Sequence, residues 1–337
     1  QTLALTGTPI VLDLNKMGVF NDADGDNLSM WESSFGQNVE TTLFDNVLVI
    51  YPNQVGIETK KIGAYDGINS VETSFVINVV EHSIPSTNIN LRSDWNLVSV
   101  PLSVANPSPT NLFSTAIPNT LNAREGGQYV PKSVLEPCKA YWMKSSGAAT
   151  ANISGTPVNT CTITLEAGWN MISPPNCSLP ISAAQVDAGI LIANTLNQYN
   201  GVYNVVSQVE AGKAYWIKAT TAGSMTLACG NTVLGKTEQT FTPDLSSFGV
   251  LTFRTSEGYE KALYFGGDLP QGVDPESFSM PPVAPYANGL DVRFGNNRYV
   301  QEATPETMIR LSAPQEIQVT LQRLPTKGRY SLQLANG

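Results

Sequence analysis

Three carboxylates stand at alternate positions in Phe20-Asn-Asp-Ala-Asp-Gly-Asp-Asn-Leu28: Asp22, Asp24 and Asp26. Carboxylates so spaced on a tight, glycine-containing turn can converge on one hard cation, and all-oxygen ligands suit calcium. The segment is not an EF-hand loop. With Asp22 as position 1, Asn27 stands where the loop glycine belongs and Ser33 where the bidentate glutamate belongs. The alternative is a solvated acidic turn, with Asp, Asn and Gly chosen for their backbone preferences.

Other reactive constellations are scarce. The chain has one histidine, His82, in Val80-Glu-His-Ser-Ile-Pro85, which reads as part of a linker over 82–90. A single imidazole rules out zinc sites and di-iron clusters that need several. No GxSxG, HExxH or Walker sequence occurs. Glu136 and Glu210 recur in equivalent contexts, but each precedes a strand at a turn, where a polar residue is expected. A glycosidase needs only two carboxylates and is the one enzymatic reading left open. The expectation is that the chain is not an enzyme.

The elements that must hold these residues read as strands. Asn46-Val-Leu-Val-Ile-Tyr51, Thr73-Ser-Phe-Val-Ile-Asn-Val-Val80, Cys161-Thr-Ile-Thr-Leu165 and Glu316-Ile-Gln-Val-Thr-Leu321 are β-branched and aromatic, several with period-two alternation. The 27 Gly and 22 Pro fall between such runs at turn positions. Only Ser108–Ala116 and Ser182–Leu196 suit a helix. The class is all-β, arranged as serial β-sandwich domains. Only 14% of the 337 residues are charged and the net charge is −9. That argues against a nucleic-acid partner, which needs a basic face. The apolar runs are strand-sized, far short of the roughly 18 residues of a membrane-spanning helix.

An internal repeat is the clearest organisational signal. Asp94-Trp-Asn-Leu-Val-Ser-Val-Pro101 matches Gly168-Trp-Asn-Met-Ile-Ser-Pro-Pro175, and Glu136-Pro-Cys-Lys-Ala-Tyr-Trp-Met-Lys144 matches Glu210-Ala-Gly-Lys-Ala-Tyr-Trp-Ile-Lys218. Both blocks share one offset of 74 residues (169 − 95 and 215 − 141). The expected organisation is 1–82, two modules at 88–160 and 161–236, and a C-terminal β-sandwich domain at 237–337. In Tyr141-Trp142 and Tyr215-Trp216, neighbours on a strand point to opposite faces. One aromatic of each pair should be core, and the other should face out or cover an edge. Core packing is the plain reading of these rings; a sugar-stacking platform is the sharper one.

The four cysteines, Cys138, Cys161, Cys177 and Cys229, are compatible with two disulfides in an oxidising compartment. Cys161 with Cys177 is the favoured pair, because a hairpin-like return would bring them together. The repeat aligns Cys138 with Gly212 and Cys177 with Ser103, so the cysteines are not a feature of the repeated module. The chain opens at Gln1 with neither Met nor a charged-then-apolar leader, as expected of a processed chain or an excised piece.

Three resemblances extend this reading. Residues 1–80 resemble bacterial cadherin-like, dystroglycan-type Ig-fold repeats, through Thr6–Leu14, the Val19–Asp26 turn, Asn46–Pro52, and the closing Ala64-Tyr-Asp-Gly67 corner with Val71–Val79. That resemblance implies calcium held by Asp22, Asp24, Asp26 and Asp66. Residues 88–236 resemble the W-N-[LM]-[IV]-S-x-P plus A-Y-W modules of large secreted proteins of Bacteroidetes-like bacteria, which imply no catalytic activity. Residues 237–337 resemble the β-rich segment preceding the sorting domain in type IX secretion cargo, through Ala262–Gly266, Met280–Val283, Leu290–Phe294 and Gly328–Leu334.

The expectation that follows is a non-catalytic extracellular structural or adhesive protein at a bacterial cell surface, a candidate subunit of a surface assembly or filament. Its partner would be itself, through strand addition at exposed sheet edges, with Gln1–Leu14 as the exchanging segment. The alternative is a carbohydrate-binding accessory region of a larger secreted hydrolase, with surface polysaccharide as partner.

Overall fold

The computed structural model describes all residues except 1, 6–7, 24, 26, 34–35, 82–83, 231–242, 285–288, 314–315, 329 and 332–337. The chain is all-β and divides into two compact units, 1–84 and 85–337.

In the first unit, two sheets face each other across one core. One has the strand order Thr2–Ala4, Ser70–Val80, Gly56–Tyr65, Ser29–Ser33; the other has Ile10–Asp13, Val47–Pro52, Val39–Phe44. Leu3, Leu14, Leu48, Ile50, Ile62 and Ile77 fill the space between them. Strands Thr2–Ala4 and Ile10–Asp13 join different sheets. Thr2–Ala4 pairs in parallel with Asn78–Val80, and Ile10–Asp13 pairs antiparallel with Val47–Ile50. Asp45 and Asn46 both have positive φ (48° and 59°), the geometry of a two-residue type I′ hairpin, and this turn sets the register of the flanking strands.

The second unit begins earlier than the expected linker allows. Ser86–Leu91 is already a strand, paired with Ala149–Ser154. The first repeat adds a four-stranded sheet in the order Gln128–Pro131, Asn122–Glu125, Tyr141–Ser145, Asp94–Val98. The second repeats the plan 74 residues on: Thr160–Leu165 with Gly223–Ala228, and Gly168–Ile172 with Tyr215–Ala219. The register repeats as well, Trp142 opposite Leu97 and Trp216 opposite Met171. The C-terminal part forms a sheet in the order Val300–Glu302, Glu260–Gly267, Gly249–Thr255, Ile317–Arg323, with a separate pair, Asp291–Phe294 and Ile309–Ser312.

Of the two helix windows, the first yields a single turn, Pro109–Leu112. The second forms no α-helix. It holds a short 3₁₀ turn at Ile181–Ala183, and Gln185–Val186 is drawn out to pair with Gly223–Ala228. Gly189 and Asn194 adopt positive φ (79° and 57°), which interrupts any helix there.

The disulfides link Cys138 to Cys161 and Cys177 to Cys229, not Cys161 to Cys177. The assumed hairpin does not exist. Strand Thr160–Leu165 pairs with Gly223–Ala228 while the next strand, Gly168–Ile172, pairs in another sheet with Tyr215–Ala219, and the chain then returns to residue 158, where Asn176 N–H donates to Val158 O (2.8 Å) and Cys177 meets Cys229. Cys229 follows its strand to residue 159, where its N–H donates to the Asn159 carbonyl (2.8 Å).

Candidate functional site

Two places collect the residues that the sequence singles out: the acidic corner of the first unit and the aromatic seam of the second.

At the acidic corner, Ser29 pairs with Tyr65, so the turn entering strand Ser29–Ser33 adjoins the turn at 66–69. Asp22 Oδ1 accepts from Gly25 N–H (3.0 Å). Asp66 Oδ1 accepts from Ile68 N–H (2.7 Å) and Asn69 N–H (2.5 Å). Those two amides, Asn69 first, hold the Asp66 carboxyl below the ordinary carboxylate range, while the nearby Asp22 charge opposes them. The Asp22 charge is thus felt at Asp66, whose carboxylate is fixed by two backbone amides. Asp24 and Asp26 lie outside the described residues, as does His82. Among the described residues no group of three or more His, Cys, Asp and Glu side chains is gathered for a metal.

In the seam, the repeated signature resolves into defined structural tasks. Asn96 Oδ1 accepts from Arg92 N–H (2.8 Å), and its Nδ2 donates to the carbonyls of Arg92 and Asp94 (2.9 and 2.7 Å). Asn170 makes the same three bonds to Glu166 and Gly168 (2.8, 2.8 and 3.0 Å). Each asparagine thus clamps the turn ahead of its strand, with Asp94 and Gly168 at positive φ (74° and 95°). Tyr141 and Tyr215 accept from the backbone N–H groups of Glu136 and Glu210 (3.0 and 2.9 Å). The two glutamates otherwise make exposed pairs with Lys139 and Lys213 (2.8 Å each), a contact worth about 0–1 kcal/mol.

The tryptophans face the other way. Tyr141 and Tyr215 lie in the separate cores of their own modules, whereas Trp95, Leu97, Trp142 and Trp216 share one cluster that also holds Tyr203 and Met280. Both members of each Tyr-Trp pair are buried, at 0% exposure. The outward face expected of one of them is covered by the other module. The contacts are reciprocal. Trp142 of the first copy meets Tyr199 of the second edge-on at 4.9 Å, and Arg124 of the first lies over Trp216 of the second at 5.3 Å. Cys138 bonds to the opening strand of the second module, and its repeat equivalent, Gly212, abuts Ile89 in the opening strand of the first, where a Cβ would come within 2.8 Å. Both positions have positive φ (63° and 82°). The modules thus pack with an approximate two-fold relation, through one surface used twice.

The C-terminal part docks on the same seam through polar groups that sequence reasoning missed. Lys218 and Arg298 both pair with Glu276, and Lys218 Nζ also reaches Ser279 Oγ (3.2 Å). The Lys218 bond, with help from Arg298 and Ser279, pushes the Glu276 carboxyl down to about 2. Tyr203 Oη donates to Pro282 O (2.8 Å), and buried Arg293 pairs with Asp291 and donates to Pro281 O (2.8 Å). A cavity of about 10 Å³ between Tyr199, Tyr203, Leu290 and Asp291 has room for about one water, not for a sugar ring.

Lys261 is the most unusual of these groups. It is buried, donates to Tyr203 O (2.8 Å), and sits 5.2 Å from the Tyr299 ring centroid. Its alternation with Leu263 and Phe265 on one strand face was the available sequence signal. Burial pushes its ammonium down to about 8, the Asp291 charge opposing and the Arg293 charge assisting. The unfolded chain, with lysine near 10.5, then binds more protons than the fold between those values, so stability rises with pH there. The expected gain is about 1 kcal/mol between roughly pH 8 and 9, below the range where tyrosines titrate, and Lys261→Met should abolish it. Denaturant unfolding of both proteins across that window checks this. Equal slopes would contradict it.

Comparison of the chain with family models, with curated proteins and with solved structures found no match.

Proposed function

We propose that this chain is a non-catalytic structural or adhesive protein of the extracellular bacterial surface. The observation that carries the reading is the packing of the repeated aromatics, with Trp95, Trp142 and Trp216 buried and Trp169 half-buried against them. Trp95, Trp142 and Trp216, the rings best suited to a sugar platform, pack two modules and a C-terminal domain into one body. Two disulfides fit an oxidising compartment. No described helix is long and apolar enough to cross a membrane. A carbohydrate-binding accessory role would need exposed rings, so accessibility of the tryptophans to quenchers and glycans tests the proposal directly.

Calcium at the acidic corner belongs to the same proposal. Asp22 and Asp66 are the described carboxylates that would hold it, with Asp24 and Asp26 completing the set. Bound cation would neutralise the clustered charge and stiffen two turns of the first unit. Saturating calcium, at about 100 times its dissociation constant, is expected to stabilise that unit by about 2.7 kcal/mol. Calorimetry in calcium and then in chelator should show one transition moving, and Asp66→Asn should abolish the shift. An unmoved transition in the wild-type chain would sink the calcium reading.

A further inference from the structure

Strand Ile317–Arg323 forms one border of the C-terminal sheet, with Gly249–Thr255 as its single neighbour among the described residues. Its other side offers a row of backbone N–H and C=O groups to a further strand. Natural sheet edges are ordinarily kept short, charged, bulged or interrupted by proline. Several other borders among the described residues follow that practice. Ser29–Ser33 carries Glu32, Val39–Phe44 carries Glu40, Ile10–Asp13 ends on Asp13, and Gln128–Pro131 ends on proline. The uncharged strands Ser86–Leu91 and Ala149–Ser154 bury their Ile and Leu side chains and expose Ser, Thr and Asn.

Ile317–Arg323 departs from these, and from the uncharged border Thr160–Leu165, in leaving its apolar side chains exposed. From Ile317 to Gln322 it has no charge, no Pro and no Gly. Val319 and Leu321 lie on its core-facing side yet remain 42% and 50% exposed, because the sheet stops there. The ladder to Gly249–Thr255 is regular from Ile317 to Leu321 and shifts only beyond it. That regular stretch is self-complementary. In an antiparallel pairing about Val319, Val319 meets its own copy, Ile317 meets Leu321, and Gln318 meets Thr320. Every apolar side chain falls on one face and every polar one on the other. An isologous contact requires this pattern, in which residue i meets j and j meets i. The two copies each carry a net charge of −9, and this edge places none of it at the contact.

We infer that a second copy of this chain adds to the sheet at Ile317–Leu321, giving a two-fold dimer with one continuous sheet across both protomers. The inference stands apart from the proposed function and from any exchange of residues 1–14. Sedimentation velocity of the full chain should show a dimer populated at about 10–100 µM. Val319→Lys sets two ammonium groups against each other at the axis and should weaken the dimer at least about tenfold. Val319→Cys keeps the shape and adds the sole unpaired thiol, the four native cysteines being bridged. It should give a covalent dimer on mild oxidation, which keeps the test open if the lysine variant does not fold. A wild-type chain that stays monomeric overturns the proposal. So does a dimer that survives Val319→Lys, or a Val319→Cys chain that fails to cross-link. Loss of the dimer on deleting residues 1–14, with Val319→Lys silent, would place the contact elsewhere.

Discussion

Replacing Trp216 by alanine is expected to cost about 3–5 kcal/mol of stability, and Trp142→Ala a similar amount. Both rings are fully buried. Trp216 meets Trp169 edge-on at 6.4 Å and lies under Arg124, while Trp142 meets Tyr199 at 4.9 Å. Deleting either ring opens a void in a cluster built by three parts of the chain, so the surroundings cannot collapse into it without shifting a whole module. The two changes should also couple. Residues sharing a cluster depart from additivity by about 0.5–3 kcal/mol, whereas independent sites add within about 0.5 kcal/mol. Denaturant titration of the two single variants and the double variant measures this. Losses below about 1 kcal/mol, or strict additivity, would mean that the modules do not share a core.

Removing the disulfides is expected to cost nearly as much. The loops closed by Cys138–Cys161 and Cys177–Cys229 span 23 and 52 residues. Chain-entropy arguments assign about 3 and about 4 kcal/mol to loops of those lengths. The shorter bridge has the added task of tying one module to the other, since Cys161 opens the second copy. Paired serine substitutions at each bridge, compared by thermal and denaturant unfolding, should both lower stability, and loss of both bridges should threaten folding of residues 85–337. No loss from the Cys138–Cys161 pair would contradict the idea that this bridge ties the two modules together.

Much of this architecture was legible in the sequence. The shared offset of Trp95 with Trp169 and Tyr141 with Tyr215 gives the repeat, and the strands reproduce it in register. Period-two alternation correctly separates Tyr141 from Trp142. It does not say what covers the second face, because one strand's pattern is the same whether water or another module lies beyond it. The cysteine pairing failed for a related reason. Adjacent strands in sequence, Thr160–Leu165 and Gly168–Ile172, enter different sheets, and nothing local to Cys161 or Cys177 records that. Lys261 and Glu276 escaped notice because their partners are distant in sequence, Tyr203 for Lys261 and Lys218 for Glu276. At the acidic corner, the spacing named Asp22 and the family resemblance supplied Asp66, and the Ser29–Tyr65 pairing sets their two turns side by side.

The repeated tryptophans are structural if the seam is closed. Tryptophan fluorescence of the intact chain, titrated with acrylamide and then with a panel of soluble polysaccharides, tests that claim most directly. Emission dominated by rings shielded from acrylamide, and unchanged by every polysaccharide, is the result expected of Trp95, Trp142 and Trp216 in a closed seam. Saturable quenching or a spectral shift with one polysaccharide, lost on substituting a seam tryptophan in a chain that remains folded, would contradict the structural reading and make this surface a glycan-binding site.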